Sequence, residues 1–222
     1  MLTKLMKLWS EQTFTSRVVD EFVTMLDSSK EMLVYTLEMM STLGKVKKGK
    51  KKIYGKDKTI NLTEQDIRKQ ILIHLSANPE SNIPACLVLM SISKDAERIG
   101  DNIKNFFELR HKIGESEKDR EIFVKLFEQT VTELFDLFEK VGTAFRTSDQ
   151  KLAKEAVRSA RDISRRSEDI IEKALVSSYS PRTAVVIALG GRYIKRIALH
   201  LANIASSVIN PLPEVDFFLK KI

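Results

Sequence analysis

Two stretches of this chain are diverged copies of each other, and that duplication restricts the fold more than any other feature. Laying Glu97-Arg98-Ile99-Gly100-Asp101-Asn102-Ile103 over Lys195-Arg196-Ile197-Ala198-Leu199-His200-Leu201 keeps the apolar positions in register and brings Asn105 onto Asn203. A proline stands ahead of each copy, Pro79 and Pro181. An internal repeat means that one unit of structure is used twice, so what one copy forms the other is expected to form.

The units are helical. Phe14 to Leu43 carries Val18, Phe22, Met25, Met32, Tyr35 and Met39 at helical intervals, which predicts a long first helix. Asn61-Leu62-Thr63-Glu64-Gln65 reads as the start of a second, with Ile67, Ile71 and Leu75 on one face and an end near Asn78-Pro79. A third is predicted from Ile83 to His111. After Gly114 the series restarts. Phe123, Phe127, Leu134, Phe138 and Val141 mark a fourth helix that ends near Ser148. Leu152, Ala156, Ile163, Ile170 and Ala174 mark a fifth that ends before Pro181, and Val185 to Ile209 a sixth, which Pro211-Leu212-Pro213 cannot continue. With only 8 glycines and 5 prolines, a sheet-rich chain full of turns is disfavoured. The expected fold is all-α: two tandem, pseudo-symmetric three-helix bundles, residues 1–113 and 114–222, each burying its own apolar stripes.

The formal net charge is +7, and the segment 45–58, with eight lysines and the single acid Asp57, accounts for it. The rest of the chain balances, so the charge describes a local tract. Gly49 and Gly55 interrupt that tract, which predicts an exposed loop or small hairpin. Its Lys47, Lys48, Lys50, Lys51 and Lys52 are candidates for an anionic partner. With no arginine and one aromatic residue, Tyr54, it is unsuited to sequence-specific nucleic-acid recognition. The lone Cys86, in an apolar run, is expected to be a buried small hydrophobe and fits a reducing cytoplasm. No apolar stretch approaches the roughly 20 residues of a membrane span. The N-terminus, with lysines among its apolar residues, lacks the continuous apolar core of a secretion signal and predicts a short amphipathic helix docked on the protein.

On the third helix, Ile92, Ala96, Ile99, Ile103 and Phe106 form the core stripe. Glu97, Asp101 and Asn105 are then expected to point outward. Carboxylates four residues apart share a face and can share a cation. Two make a poor site, so Asp66 and Glu64 of the second helix, or Asp95, are candidate flanking ligands. Spacing alone favours a solvated face with salt bridges, for example to Lys94 or Lys104, because E-x-x-x-D is a weak motif.

The string DAERIGDNIKN, after a proline-marked turn and repeated in diverged form, resembles the PhoU family of phosphate-uptake regulators. That family has two tandem three-helix bundles, with a string like D-L-E-R-I-G-D-H-x-x-N in the third helix of each. The second copy, GRYIKRIALHLANIA, is similar to the family's R-Y-L-E-R-I-A-D-H-x-x-N-I-A. The resemblance covers nearly the whole chain. It implies a cytoplasmic regulator that binds a phosphate-transport ATPase or a sensor kinase. It also implies metal ligands at Glu97 and Asp101, for iron or zinc ahead of magnesium or calcium.

The second copy departs from this pattern. Lys195 replaces the family's glutamate and Leu199 its aspartate, so a metal is expected on the first bundle only. Lys195 is expected either to pair with an acid of the fifth helix, Asp162 or Glu168, or to join Arg192 and Arg196 in binding an anion or partner. A homodimer is expected through Leu199 and the apolar N-terminus. No phosphate-binding loop, zinc-protease or serine-hydrolase motif is present, and the three histidines are far apart. A regulator is therefore preferred over a metal-dependent hydrolase, with a polyanion- or membrane-binding adaptor as the other alternative.

Overall fold

The computed structural model describes residues 2–41, 46–78, 82–113 and 116–210. Among them the chain forms six α-helices: α1 (Leu2–Ser41), α2 (Val46–Ala77), α3 (Ile83–Glu108), α4 (Glu117–Thr147), α5 (Gln150–Leu175) and α6 (Pro181–Ile209). A short 3₁₀ turn, Leu109–His111, extends α3. The predicted breaks at Pro79 and Gly114 and the tail from Pro211 lie outside the described residues, as do the side chains of Lys47 and Lys48.

Local sequence explains where the helices begin. Asn82 caps α3 by accepting from the Ala85 N–H at 3.2 Å, with Pro84 in the first turn. Asp149 accepts from the Lys151 and Leu152 N–H groups at the start of α5. Ser180 caps α6 ahead of Pro181. Between α4 and α5 the chain reverses at Ser148, which sits in the left-handed region at φ 53°. That link is the shortest between helices.

Two features differ from expectation. The lysine tract is not a loop: α2 begins at Val46 and runs through both glycines without a break. The reason is a stripe that starts before Asn61. Gly49, Ile53, Asp57, Ile60, Glu64, Ile67 and Ile71 are all buried, at steps of three or four, so the helical face continues beneath the lysines. Gly49 is there because a Cβ would come within 2.6 Å of the Met39 sulfur on α1. The N-terminal segment is not a separate short helix either; it is the start of the 40-residue α1, although its side chains up to Thr13 lie outside the described residues.

α1 to α3 form one bundle and α4 to α6 the other. α3 and α6 pack antiparallel between them: Arg182, at the start of α6, donates to the Lys112 carbonyl just past α3, while His200 and Asn203, further along α6, reach Asp95 at the middle of α3. Both predicted stripes are sealed. Ile92, Ala96, Ile99 and Ile103 of α3 and Ile194, Ile197, Leu201 and Ile204 of α6 are 0% exposed. Phe106 packs on Phe123 and Phe127, with ring centroids 5.5 Å away in each case, so the core runs without interruption from one bundle to the other. Cys86 is buried in it.

Candidate functional site: charged seams beside the third helix of each bundle

The inward stripe of α2 carries two acids where apolar residues would be ordinary, Asp57 and Glu64, and both are buried. A carboxylate in that position needs a cation or hydrogen-bond donors. For Asp57 the answer is on α3. The Lys104 ammonium donates to Asp57 Oδ2 and to Asp101 Oδ1, each at 2.8 Å, and so joins the two helices. Burial by itself pushes the Lys104 amine towards its neutral form. Hydrogen bonds to Asp101 and Asp57 outweigh that and hold its pKa above the usual lysine value. One turn away, the Tyr54 hydroxyl of α2 donates to Glu108 of α3. That bond, with burial and the charge of Glu108, raises the Tyr54 pKa.

Glu97 and Asp101 are not a solvated outward pair. The Glu97 side chain is 13% exposed and lies 2.8 Å from Lys94; Asp101 is 42% exposed and bound to Lys104. The outward direction holds only in part because α3 is packed by α1, α2 and α6, which covers most of Glu97 and leaves Asp101 half-exposed. The candidate flanking acids do not converge on the pair. Asp66 is exposed, turned away from the buried stripe of α2. Glu64 lies 2.7 Å from Arg68, one turn along its own helix. Asp95 faces the other bundle, where His200 Nδ1 lies at 2.7 Å and the Asn203 amide donates at 3.2 Å.

The fit to a metal can be judged from these positions. Glu64 Oε1 and Glu97 Oε2 are buried without an aligned hydrogen bond, which a cation would relieve. Each already has a guanidinium or ammonium in contact, however, and among the described residues no group of three or more His, Cys, Asp or Glu side chains could hold a metal ion. As arranged, the first bundle does not fit a metal cluster. The histidines are dispersed: His74 stacks on Phe14 with centroids 3.9 Å apart, His111 meets the edge of Phe107, and His200 joins Asp95.

In the second bundle Lys195 of α6 pairs with Glu168 of α5, one of the two acids expected for it. Asp162 instead lies 3.6 Å from Arg165. Arg192 is exposed, Arg196 is half-buried, and Leu199 is half-buried, so Leu199 offers only part of the apolar surface a dimer contact there would use. On α2, Lys50, Lys51, Lys52 and Lys58 project from the exposed side; Lys50 lies 5.2 Å from the Tyr54 ring centroid and Lys52 4.5 Å from that of Tyr35. No helix among the described residues is long and apolar enough to cross a membrane.

A family model described as the PhoU domain matches the chain twice, over residues 22–109 and 129–208. The chain belongs to the PhoU family. Each matched segment falls within one bundle, so the repeat read from Glu97 and Lys195 is the PhoU repeat. The fold is shared with the phosphate transport system regulatory protein PhoU from Streptococcus pneumoniae, at 16% identity and a TM-score of 0.76, covering 90% of this chain and 95% of that one. It is also shared with PhoU from Pseudomonas aeruginosa, at 16% identity and a TM-score of 0.68, covering 91% and 95%. No curated relative matches the sequence.

The pairing of this face with Lys94 and Lys104 was read from the sequence, whereas Asp57, Tyr54 and Glu108 were missed. Asp57 was the recoverable one: it stands four residues after Ile53 and three before Ile60, which places it on the buried face once the tract is taken as helix.

Proposed function

We propose that this chain is a cytoplasmic regulator of phosphate uptake and its signalling, which acts by docking on a phosphate-transport ATPase or a sensor kinase. The observation that carries this reading is the family match in both halves of the chain, which spans the whole functional architecture of two bundles. The build of the molecule supports it. Charged side chains on the inner seams pair with one another, and the histidines are spread over three places, so docking through surface is a better use of this fold than turnover. Arg192, beside Lys195 and Arg196 on α6, offers cations to an acidic partner face, and a groove between α2, α3 and α6 brings Arg68, Lys94 and Arg98 beside Leu87 and Met90.

The test uses the purified chain with the transport ATPase subunit and the sensor kinase of the same host. Binding to one of them is expected, weakened at least tenfold by Arg192→Glu with Arg196→Glu, together with altered phosphate uptake when the gene is removed. Absence of binding to both, with uptake unchanged, would sink the proposal.

A second reading is favoured by the exposed lysines of α2. They could attract a polyanion or an anionic membrane surface. Because Ile53, Ile60, Ile67 and Ile71 on the other side of that helix are at most 1% exposed, such contact would be electrostatic without insertion. It would collapse between roughly 50 and 200 mM salt, whereas docking through the bundle faces would survive in part.

A further inference from the structure

Asp57, Glu64, Glu97 and Asp101 of the first bundle each pair with a lysine or arginine of the same chain. Asp57 sits on the buried stripe of α2, where an unpaired carboxylate is costly, and the ammonium that satisfies it comes from α3. We propose that Lys104 is a built-in cation that takes the place of a metal ion between α2 and α3.

Lys104 Nζ lies 2.8 Å from one oxygen of Asp57 and 2.8 Å from one of Asp101, the position of a bridging ion between two carboxylates. A metal arriving there would have to expel the ammonium. It would then meet two carboxylates, where zinc takes about four ligands and harder cations about six. Among the described residues no third metal-ligating side chain is placed to help.

The second bundle also sets a lysine between its second and third helices, against a single acid that is 50% exposed. Lys195 overlies Glu97 in the repeat, not Lys104, yet it too extends from the third helix of its bundle to an acid of the second, Glu168. Two unrelated positions supply a positive charge to the same helix pair. Only at Asp57, which is buried, does that charge meet a structural need, and there it is met without an exchangeable ion. A lysine cannot be chelated or starved away, so the packing of α2 on α3 is independent of metal supply.

The experiment measures metal content and thermal stability of the full chain. Wild type purified without chelator should carry less than about 0.1 equivalent of manganese, iron or zinc, and its Tm should be the same with and without EDTA. Lys104→Met should lower Tm by on the order of 5 °C or more, because it strands Asp57. Adding Asp57→Asn to Lys104→Met should restore at least half of that loss, and millimolar Mn²⁺ should raise the Tm of Lys104→Met but not that of wild type. Near-stoichiometric metal in wild type that Asp101→Ala removes would overturn the proposal. So would a Lys104→Met protein as stable as wild type, or one that Asp57→Asn fails to rescue. If Lys104→Met does not fold, wild-type metal content and its response to Asp101→Ala decide the matter.

Discussion

A lysine held between two carboxylates leaves a mark on the pH dependence of stability. The Lys104 pKa is raised above the ordinary 10.5 in the folded protein. Its contribution is therefore fully present below the unfolded value and is lost as pH rises through the folded one. With the Lys104 side chain 20% exposed and Asp101 42% exposed, that contribution is about 1–3 kcal/mol, below what a fully buried pair would give. Urea unfolding of wild type and Lys104→Met from pH 7 to pH 11.5 should show a constant gap up to about pH 10 that closes above it. A gap that closes between pH 7 and pH 9 would assign the effect to another group. Residues of this kind were unevenly legible. Lys195 could be read because the repeat shows what it replaced, and an acid within reach on the neighbouring helix followed from the pattern. Lys104 could be read only as a partner of its own helix, because its second partner, Asp57, lay in a segment whose glycines disguised it as a loop.

At the scale of elements, glycine misled the reading of α2 because it has two uses that sequence does not separate. Gly49 permits close approach to Met39, whereas a Cβ at Gly55 would meet nothing within 4 Å. Gly55 therefore costs the helix its ordinary backbone entropy with no packing in return. Gly55→Ala should stabilise the protein by about 0.5–1 kcal/mol. The adjacent glycines of α6 are the opposite case. A Cβ at Gly191 would lie 2.9 Å from the Ser167 carbonyl oxygen, which is backbone and cannot swing aside, and one at Gly190 would press into the Phe127 ring at 2.8 Å. Gly191→Ala should destabilise by about 1–3 kcal/mol. Chemical denaturation of both variants checks the pair of signs, and a stabilising Gly191→Ala would contradict the close α5–α6 packing. The start of α3 and the ends of α4, α5 and α6 were legible from turn residues and stripe, whereas α6 begins at Pro181, four residues before the expected Val185. At α2 turn residues and stripe disagree, and the buried stripe prevails over two glycines and a run of like charges.

At the scale of the molecule, the repeat predicted two bundles, but sequence gave no sign of how tightly they are joined. Asp95, read as a flanking metal ligand, instead crosses from α3 to His200 and Asn203 of α6. With Phe106 against Phe123 and Phe127, it closes a seam whose core belongs to both halves. Neither bundle can then lose its packing without exposing the apolar faces of α3 or α6 that the other needs. Thermal unfolding should be one transition, with calorimetric and van't Hoff enthalpies equal and far-UV circular dichroism following the same curve. Asp95→Ala leaves the His200 and Asn203 donors short of their acceptor inside the seam, a loss of about 1–3 kcal/mol. That should move the whole transition down by roughly 2–12 °C and keep it single. Two resolved transitions in wild type, or a variant that lowers only part of the signal, would mean that the halves fold separately. If they unfold together, a partner bound on the α6 face alters the stability of the α1–α3 bundle too, because any ligand of the folded state stabilises every element that folds with it.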